Sequence, residues 1–434
     1  MKKIAYLIFI LIIVVNILTV NYSFADNIQS MEVEIEDVFA EITAKNLLLG
    51  ETNSNRILYE KNIDQKIYPA SLTKLMTAIL VVENCELDEI VTVSENAIFS
   101  VPSGYVNANL QVGEEVTVED LLYVMLIPSA NDAANALAEH VGGNIESFSA
   151  MMNTRAKELG CEGSNFTNPS GLHEKEHYTT TRDLYLISKE AIQKPIIKEA
   201  IKTTRYILPE TNKYTDTKMK RIFTTTNYMI RPSLTKYYCN YCIGGKTGYT
   251  TDAKNCVIEY AEKDGVELIA IVMGENASIK GKKFLDAKKM FEYVFKNYEN
   301  VQVATKNKKF ETVKISNGTK DTRDLGVLYK EDINILMDNN NKIEKEIEYT
   351  NVKAPIQKND VVGKITYKYE EITYTTDLIA QSSVEESKIL SNLVKLLIAT
   401  FIIYIIYNLR KSKKNYKKHG NKLKKLHKKR KKNL

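Results

Sequence analysis

The chain has 434 residues, 44% hydrophobic and 26% charged, with a formal net charge of +6. That length and balance can bury a sizeable core in two or three domains, which excludes a disordered, collagen-like or small disulfide-stapled protein. The positive sign belongs to one end: residues 410–434 hold 14 Lys or Arg and no acid, while residues 26–409 carry a net −10, so no nucleic-acid partner is expected for the body.

In chain order, residues 1–25 come first. Lys2 and Lys3 precede an apolar run from Ile4 to Val20, and Ser23-Phe24-Ala25 closes the segment. This is the pattern of a cleavable secretory signal peptide, with an uncleaved anchor as the alternative. Asp26–Val38 is an acidic lead-in. Ile42–Leu49 and Ile57–Tyr59 flank a polar Glu51–Asn55 stretch and read as a hairpin. Helical periodicity follows over Leu72–Glu83, Val118–Met125, Asp132–His140, Ile145–Leu159 and Thr181–Ile192. Ile243–Gly248, Cys256–Ala261 and Val266–Met273 are strand-like, with Lys263-Asp264-Gly265 as a turn. Phe284–Tyr298 reads as an amphipathic helix. Strands, then helices, then strands predict an α+β domain over residues 26–298, with helices packed on an antiparallel sheet. Residues 299–369 alternate short β-rich runs with Asn, Gly and Asp turns, which predicts a small all-β domain. Residues 370–388 read as a polar linker.

Residues 389–409 are mostly apolar and long enough to cross a bilayer as a transmembrane helix. Lys395 lies near the start, from where its stem can snorkel, and Tyr404 and Tyr407 lie near the other end. A surface-lying helix is the alternative, but Leu396–Tyr407 has Thr400 as its only clearly polar residue and so no polar face. The basic tail, 410–434, stays cytoplasmic by the positive-inside rule and meets anionic headgroups. The body is then extracytoplasmic on a single-pass cell-membrane protein. The five cysteines are an odd number without framework spacing. Cys239-x-x-Cys242 fits a local disulfide or half a zinc site, but no second C-x-x-C accompanies it, so it reads as incidental.

Three short elements suggest chemistry. In Ser71-Leu72-Thr73-Lys74 a hydroxyl and an amine lie one helical turn apart on one face. A lysine with a lowered pKa can take the serine proton, which supplies nucleophile and base without histidine. Ser233-Leu234-Thr235-Lys236 repeats the pattern. However, Ser71 precedes the apolar Leu75–Leu80 and so opens a helix, where free N–H groups help bind an oxyanion. Ser233 opens none. The second element, Ser129-Ala130-Asn131, falls in a loop between two helices, where a hydroxyl and a carboxamide can relay a proton and hold a substrate amide. Ser94-Glu95-Asn96 also fits S-x-N, and the alternative for Ser129 is a helix cap. The third, Lys246-Thr247-Gly248, occurs once, on a strand. Its cation and hydroxyl suit a carboxylate, and Gly248 lets a substrate backbone approach closely.

Taken together and in this order, S-x-x-K, S-x-N and K-T-G resemble the penicillin-binding proteins and serine β-lactamases, and most closely the D-alanyl-D-alanine carboxypeptidases. Pro69–Thr77, Ser129–Ala134, Asn168–Leu172, Gly245–Thr250 and Ala354–Ile356 carry the likeness, over about Ala40 to Lys368. Lys254 stands where the family often has glycine, which leaves the loop after the strand open. The resemblance implies a β-lactamase/transpeptidase-like fold and a serine peptidase without cofactor or metal. Ser71 would be the acylated nucleophile and Lys74 its base. Ser129 and Asn131 would assist proton transfer and hold the substrate, while Lys246 and Thr247 bind its terminal carboxylate. The backbone N–H groups of Ser71 and Tyr249 would form the oxyanion hole. The implied substrate is a peptidoglycan pentapeptide, which loses its terminal D-alanine. β-Lactam antibiotics would bind covalently as mimics.

His173-Glu174-Lys175-Glu176-His177 matches the zinc-protease pattern H-E-x-x-H. It follows a loop signature and has no apolar residue between its histidines, so it reads as a solvated loop. A β-lactamase-like hydrolase is an alternative function, opposed by the β domain, the anchor and the absence of an assignable deacylating glutamate. A catalytically idle cell-wall-binding scaffold is another, opposed by the complete set of three motifs.

Overall fold

The computed structural model describes residues 37–215, 220–276, 280–338 and 342–430. The leader expected at 1–25 lies outside the described residues. Two compact units divide the chain, one reaching Asn300 with Leu336–Asn339, the other covering 301–335 and 340 onward.

In the first unit, β1 (Asn46–Glu51) and β2 (Ile57–Lys61) form the opening hairpin. Ile42 and Ala44 are buried ahead of the ladder without joining it. A 3₁₀ turn at Ala70–Thr73 leads into α1 (Lys74–Asn84). The helical layer continues with α2 (Val118–Leu126), α3 (Asn131–Gly142), α4 (Ile145–Glu158), α5 (Thr181–Ile192) and α6 (Pro195–Lys202). Thr117, Asn144 and Thr180 cap α2, α4 and α5, each accepting from a backbone N–H three residues on. Then β3 (Cys242–Thr250), β4 (Lys254–Lys263) and β5 (Val266–Glu275) complete the sheet, and α7 (Lys282–Asn297) follows. The strand order is β2-β1-β5-β4-β3, antiparallel throughout. This is the predicted α+β layout. Helix α6 and two small ribbons, Ile90–Thr92 with Glu115–Thr117 and Arg205–Leu208 with Arg221–Thr224, have no counterpart in the sequence reading. Strands of three or four residues are too short to establish a period.

The sheet is buried on both faces. Leu48, Ile258, Ile269 and Ile271 pack into the apolar cluster of the helical layer. Their neighbours Leu47, Leu49, Val257, Ala270 and Val272 pack on the other side with Phe284, Met290 and Phe291 of α7. Alternate residues of a strand point to opposite faces, so two-sided burial makes β1 and β5 nearly continuous apolar runs. Each fully buried Leu, Ile or Phe contributes about 1.5–3 kcal/mol.

One polar group interrupts that core. Glu259 of β4 is fully buried, accepts a 2.7 Å hydrogen bond from Asn227 Nδ2, and meets the Cys242 thiol at 3.3 Å. A Cβ on Gly245 would crowd its carboxyl, so glycine there leaves the room. All five cysteines are free thiols, Cys239 and Cys242 included.

In the second unit a five-stranded sheet is built from β6 (Lys309–Lys314), β7 (Asp324–Tyr329), β8 (Glu344–Tyr349), β9 (Val361–Tyr369) and β10 (Ile372–Ala380). Its order is β6-β7-β10-β9-β8. The expected linker at 370–388 is corrected here, because β10 lies at the centre of the sheet. It pairs with β9 on one side and β7 on the other, and Leu378 and Ala380 are buried. Ile372-Thr373-Tyr374-Thr375-Thr376 is polar by composition, but β-branched and aromatic residues suit a strand. Bridges at Val384 and Glu386 extend the fold almost to the last helix.

That helix, α8 (Ile389–Arg430), is continuous through both the apolar stretch and most of the basic tail. It is long and apolar enough to cross a membrane. At 1.5 Å per residue its apolar part, 389–409, is about 31 Å long, close to the roughly 30 Å of a hydrocarbon core.

Burial raises the Glu259 carboxyl to about pH 8. The group is then protonated in the fold and ionised in the unfolded chain between its ordinary value of 4.5 and about 8. Its contribution to stability is therefore present below the ordinary value and lost as pH rises through that window. Glu259→Gln should raise the melting temperature by a few degrees at pH 8 and by less at pH 5. Melting curves at the two pH values check this, and an equal change at both would contradict it.

Candidate active site

The site forms where the turn before α1, the turn before α3 and strand β3 meet. Ser71 lies in the 3₁₀ turn that enters α1, and Lys74 is the first residue of that helix. Ala70, just before the serine, has φ +48°, a strained conformation for a non-glycine residue. Gly171 holds this turn from below: its φ is +79°, and an added Cβ would overlap the Ala70 carbonyl oxygen.

Lys74 is fully buried. Its Nζ donates to Ser71 Oγ at 3.1 Å, Asn131 Oδ1 at 2.7 Å and the Ser170 carbonyl at 2.6 Å. An ammonium has three donors, so all are used. Burial pushes its pKa well below the ordinary lysine range, and the Lys246 cation pushes the same way against the Asp132 carboxylate. A neutral amine is then accessible beside the serine, and a neutral amine can accept the hydroxyl proton.

Ser129 sits between α2 and α3 at φ +74°, a second strained position, and does not cap α3. Lys246 Nζ donates to Ser129 Oγ at 2.8 Å and to the Thr247 carbonyl at 3.0 Å. Burial, and then the Lys283 cation, lower the Lys246 pKa to about 7. Asn131 is committed at both ends of its carboxamide. Its Oδ1 accepts from Lys74 while Nδ2 donates to the Val106 carbonyl at 2.8 Å and keeps a second hydrogen. Thr247 Oγ1 lies 2.6 Å from Thr226 Oγ1. Tyr249, which follows Gly248 on β3, is 62% exposed.

Gly248 sets how closely β3 approaches the turn. An added Cβ would lie 3.2 Å from the Ala70 Cβ, 3.2 Å from the Pro69 carbonyl and 3.3 Å from the Ser71 nitrogen. Being last in the strand order among the described residues, β3 is an edge strand, and its C-terminal half has backbone groups available to an extended ligand.

Several supporting residues carry no role in the sequence reading. Ser170 belongs to the Asn168–Leu172 loop, where Asn168 Oδ1 accepts from the Gly171 N–H at 2.8 Å and Thr77 Oγ1 donates to the Pro169 carbonyl at 2.6 Å. Asp132 accepts from the N–H groups of Ala108 at 2.8 Å, Leu110 at 3.2 Å and Ala133 at 2.9 Å, which ties the loop before α2 to α3. Lys283, buried in α7, donates to the Cys256 carbonyl at 3.1 Å and the Gly248 carbonyl at 3.4 Å. The loop 168–172 was marked by its motif. Nothing in the pattern of α7 distinguishes Lys283 from the lysines around it.

The zinc-like pattern forms no helix. His173 is exposed, edge-on to Tyr68 with ring centroids 4.5 Å apart. The solvated-loop expectation is corrected at His177, which is only 2% exposed. His177 Nδ1 accepts from the Thr167 N–H at 3.0 Å, so Nε2 carries the hydrogen and donates to Thr73 Oγ1 at 2.9 Å. Burial lowers its pKa to about 4, so it is neutral and acts as a brace under the turn that holds Ser71. Ser233 is exposed in a turn, and Ser94 caps a short helix by accepting from the Ala97 N–H at 2.9 Å. Among the described residues, Cys85, Glu89 and His140 bring metal-ligating atoms within 4.8 Å of one another, and none belongs to the three motifs.

Comparison with known proteins follows the same lines. A family model described as D-alanyl-D-alanine carboxypeptidase matches residues 31–277, and one described as the penicillin-binding protein 5 C-terminal domain matches residues 298–386. D-alanyl-D-alanine carboxypeptidase DacF of Bacillus subtilis (strain 168) is 34% identical over 334 residues, 75% of this chain and 81% of that protein. The crystal structure of penicillin binding protein 5 from Haemophilus influenzae is 27% identical at a TM-score of 0.63, covering 80% of this chain and 98% of its own. PBP3 of Streptococcus pneumoniae, 23% identical at a TM-score of 0.67 over 79% of this chain and 100% of its own, shares the fold.

The Gly248 contacts give a test. Gly248→Ala should push the Ser71 nitrogen away by a few tenths of an ångström and slow acylation of Ser71 by about tenfold or more. Stopped-flow acylation with a reactive acyl donor measures this, with a melting curve to show that the fold persists. An unaltered acylation rate would mean that this close approach does not set the geometry.

Proposed function

The chain belongs to the D-alanyl-D-alanine carboxypeptidase family of serine peptidases, and we propose that it performs that chemistry with Ser71 as nucleophile and Lys74 as base. The observation that carries the assignment is the buried Lys74 amine, 3.1 Å from Ser71 Oγ and held well below its usual pKa.

The substrate is a peptidoglycan stem peptide ending in D-alanyl-D-alanine. It lies extended along the free edge of β3. Lys246 and Thr247 hold its terminal carboxylate, and the second Nδ2 hydrogen of Asn131 is free to hold an upstream carbonyl. Lys74 removes the proton as Ser71 Oγ attacks the carbonyl carbon between the two alanines. The backbone N–H groups of Ser71 and Tyr249 receive the oxyanion. The C–N bond then breaks, and the proton passes to the leaving amine by way of Lys74 and Ser129. D-Alanine departs and Ser71 is left as an ester. Water, deprotonated by Lys74, adds to the ester, which releases the shortened peptide and restores the serine. Lys246 meets this relay at Ser129, through its 2.8 Å bond to Ser129 Oγ. A β-lactam presents the same carbonyl and carboxylate and acylates the same oxygen.

The C-terminal apolar helix fits membrane anchoring. We infer further that the two folded units lie outside the cytoplasm and that the basic part of α8 stays within it, as the positive-inside rule directs.

A labelled penicillin should attach covalently to the full chain, and Ser71→Ala should abolish both that label and D-alanine release from a pentapeptide, by at least a thousandfold. Labelling that persists in Ser71→Ala, or that maps to Ser233, would overturn the assignment. Truncation after Ser387 should move the labelled protein from the membrane fraction to the soluble fraction. A truncated protein that still sediments with membranes would remove α8 as the anchor.

A further inference from the structure

A pocket of about 330 Å³ opens at one end of the sheet, where the β3–β4 turn, the start of β1 and the end of β5 meet the segment that leads to Ser71. Lys45, Lys66, Lys175 and Lys254 line it against one carboxylate, Asp252. Asp252 lies 3.7 Å from His173 Nδ1. Lys66 rests over the Tyr178 ring at 3.9 Å, and none of the four lysines forms an ion pair among the described residues. The pocket therefore concentrates positive charge on a unit that is otherwise acidic.

Two further features show that it is more than a cluster of surface lysines. Lys254 has φ +60°, a conformation that favours glycine by about 1 kcal/mol. Outside Asn and Asp, the described non-glycine residues of the first unit with positive φ are Ala70, Ser129 and Lys254. The other two flank the nucleophile, and strain of this kind clusters at functional positions. The second feature is Asn46. It is buried in the pocket wall, and its Nδ2 donates to the Asn62 carbonyl at 2.7 Å and to Gln65 Oε1 at 3.2 Å. Those two acceptors fix the orientation of the amide. Its Oδ1 then has no partner, which leaves an unsatisfied acceptor in the wall of the pocket.

The direction of the substrate leads to this pocket. Helix α6 covers the N-terminal half of β3, since an added Cβ on Gly244 would lie 2.7 Å from the Ile201 carbonyl. An extended peptide can follow only the C-terminal half. From Thr247, at the carboxylate end, to Thr250, at the edge of the β3–β4 turn, is about 10 Å of strand, the length of about three extended residues. Resting on the carboxypeptidase reading, we propose that the pocket is a subsite for a free carboxylate carried by the stem peptide two or three residues before its terminal alanine, with Lys254 as the residue that selects it.

The test uses pentapeptides in pairs, identical except that the second or the third residue carries either a free carboxylate or its carboxamide. In the intact protein, kcat/KM for D-alanine release should favour the carboxylate of one pair by about fivefold or more, and less at high salt. In Lys254→Gly, where glycine suits the backbone and the fold is kept, the ratio should fall towards one. Lys254→Arg should retain it. Equal kcat/KM within both pairs for the intact protein, or a ratio unchanged in Lys254→Gly, would overturn the subsite and leave the carboxypeptidase reading standing. No release of D-alanine from any of the peptides would overturn that reading and the subsite with it.

Discussion

Everything in the catalytic unit is arranged around one amine removed from water. Lys74 is fully buried, and its three hydrogen bonds reach three separate parts of the chain: the turn that holds Ser71, the start of α3 at Asn131, and the loop carbonyl of Ser170. A buried cation without strong compensation shifts towards its neutral form. The Lys246 cation adds to this, and Lys246 is in turn lowered by Lys283. Burial, reinforced by the row of lysines from α7 through β3 to α1, favours the neutral form of the Lys74 amine. No histidine is needed, and His177 is engaged elsewhere as a neutral brace.

The sheet serves that arrangement by being rigid and by ending in an open strand. Its central strands are packed on both faces, which fixes β3 through β4 against α7. Gly248 lets β3 close on the nucleophile turn, while Gly171 supports that turn from the other side. These two glycines and the strained Ala70 and Ser129 hold Ser71, Lys74 and Lys246 in one place. The C-terminal half of β3 keeps an open outer edge at the end of the sheet.

The second unit follows a different logic. Its sheet closes around β10, a segment rich in threonine and tyrosine that composition alone marks as polar. In a strand, one face of such a segment can be wet while Leu378 and Ala380 are buried, and β-branching favours the extended backbone. The long helix that follows combines an apolar part of bilayer length with a basic part, which is the form an anchor takes.

The sequence by itself determined the local geometry. The spacing of Ser71 and Lys74 puts them on one helical face, short β-branched apolar runs bounded by a turn mark β4 and β5 as strands, and the apolar run at 389–409 marks a helix long enough to cross a bilayer. The order of the three motifs identified the family. These are properties of neighbouring residues, and neighbours are what a sequence displays. Only the tertiary structure decided which features were used. It buried Lys74 against Ser170, 96 residues away, and placed Lys246 on Ser129, 117 residues away. It left Ser233 exposed although its motif is identical. It also turned a zinc-like pattern into a buried brace, made a polar linker into a central strand, and set Lys254 at the rim of a pocket. Burial, depressed pKa values and strained backbone all depend on contacts between distant segments, and those contacts exist only once the chain has closed on itself.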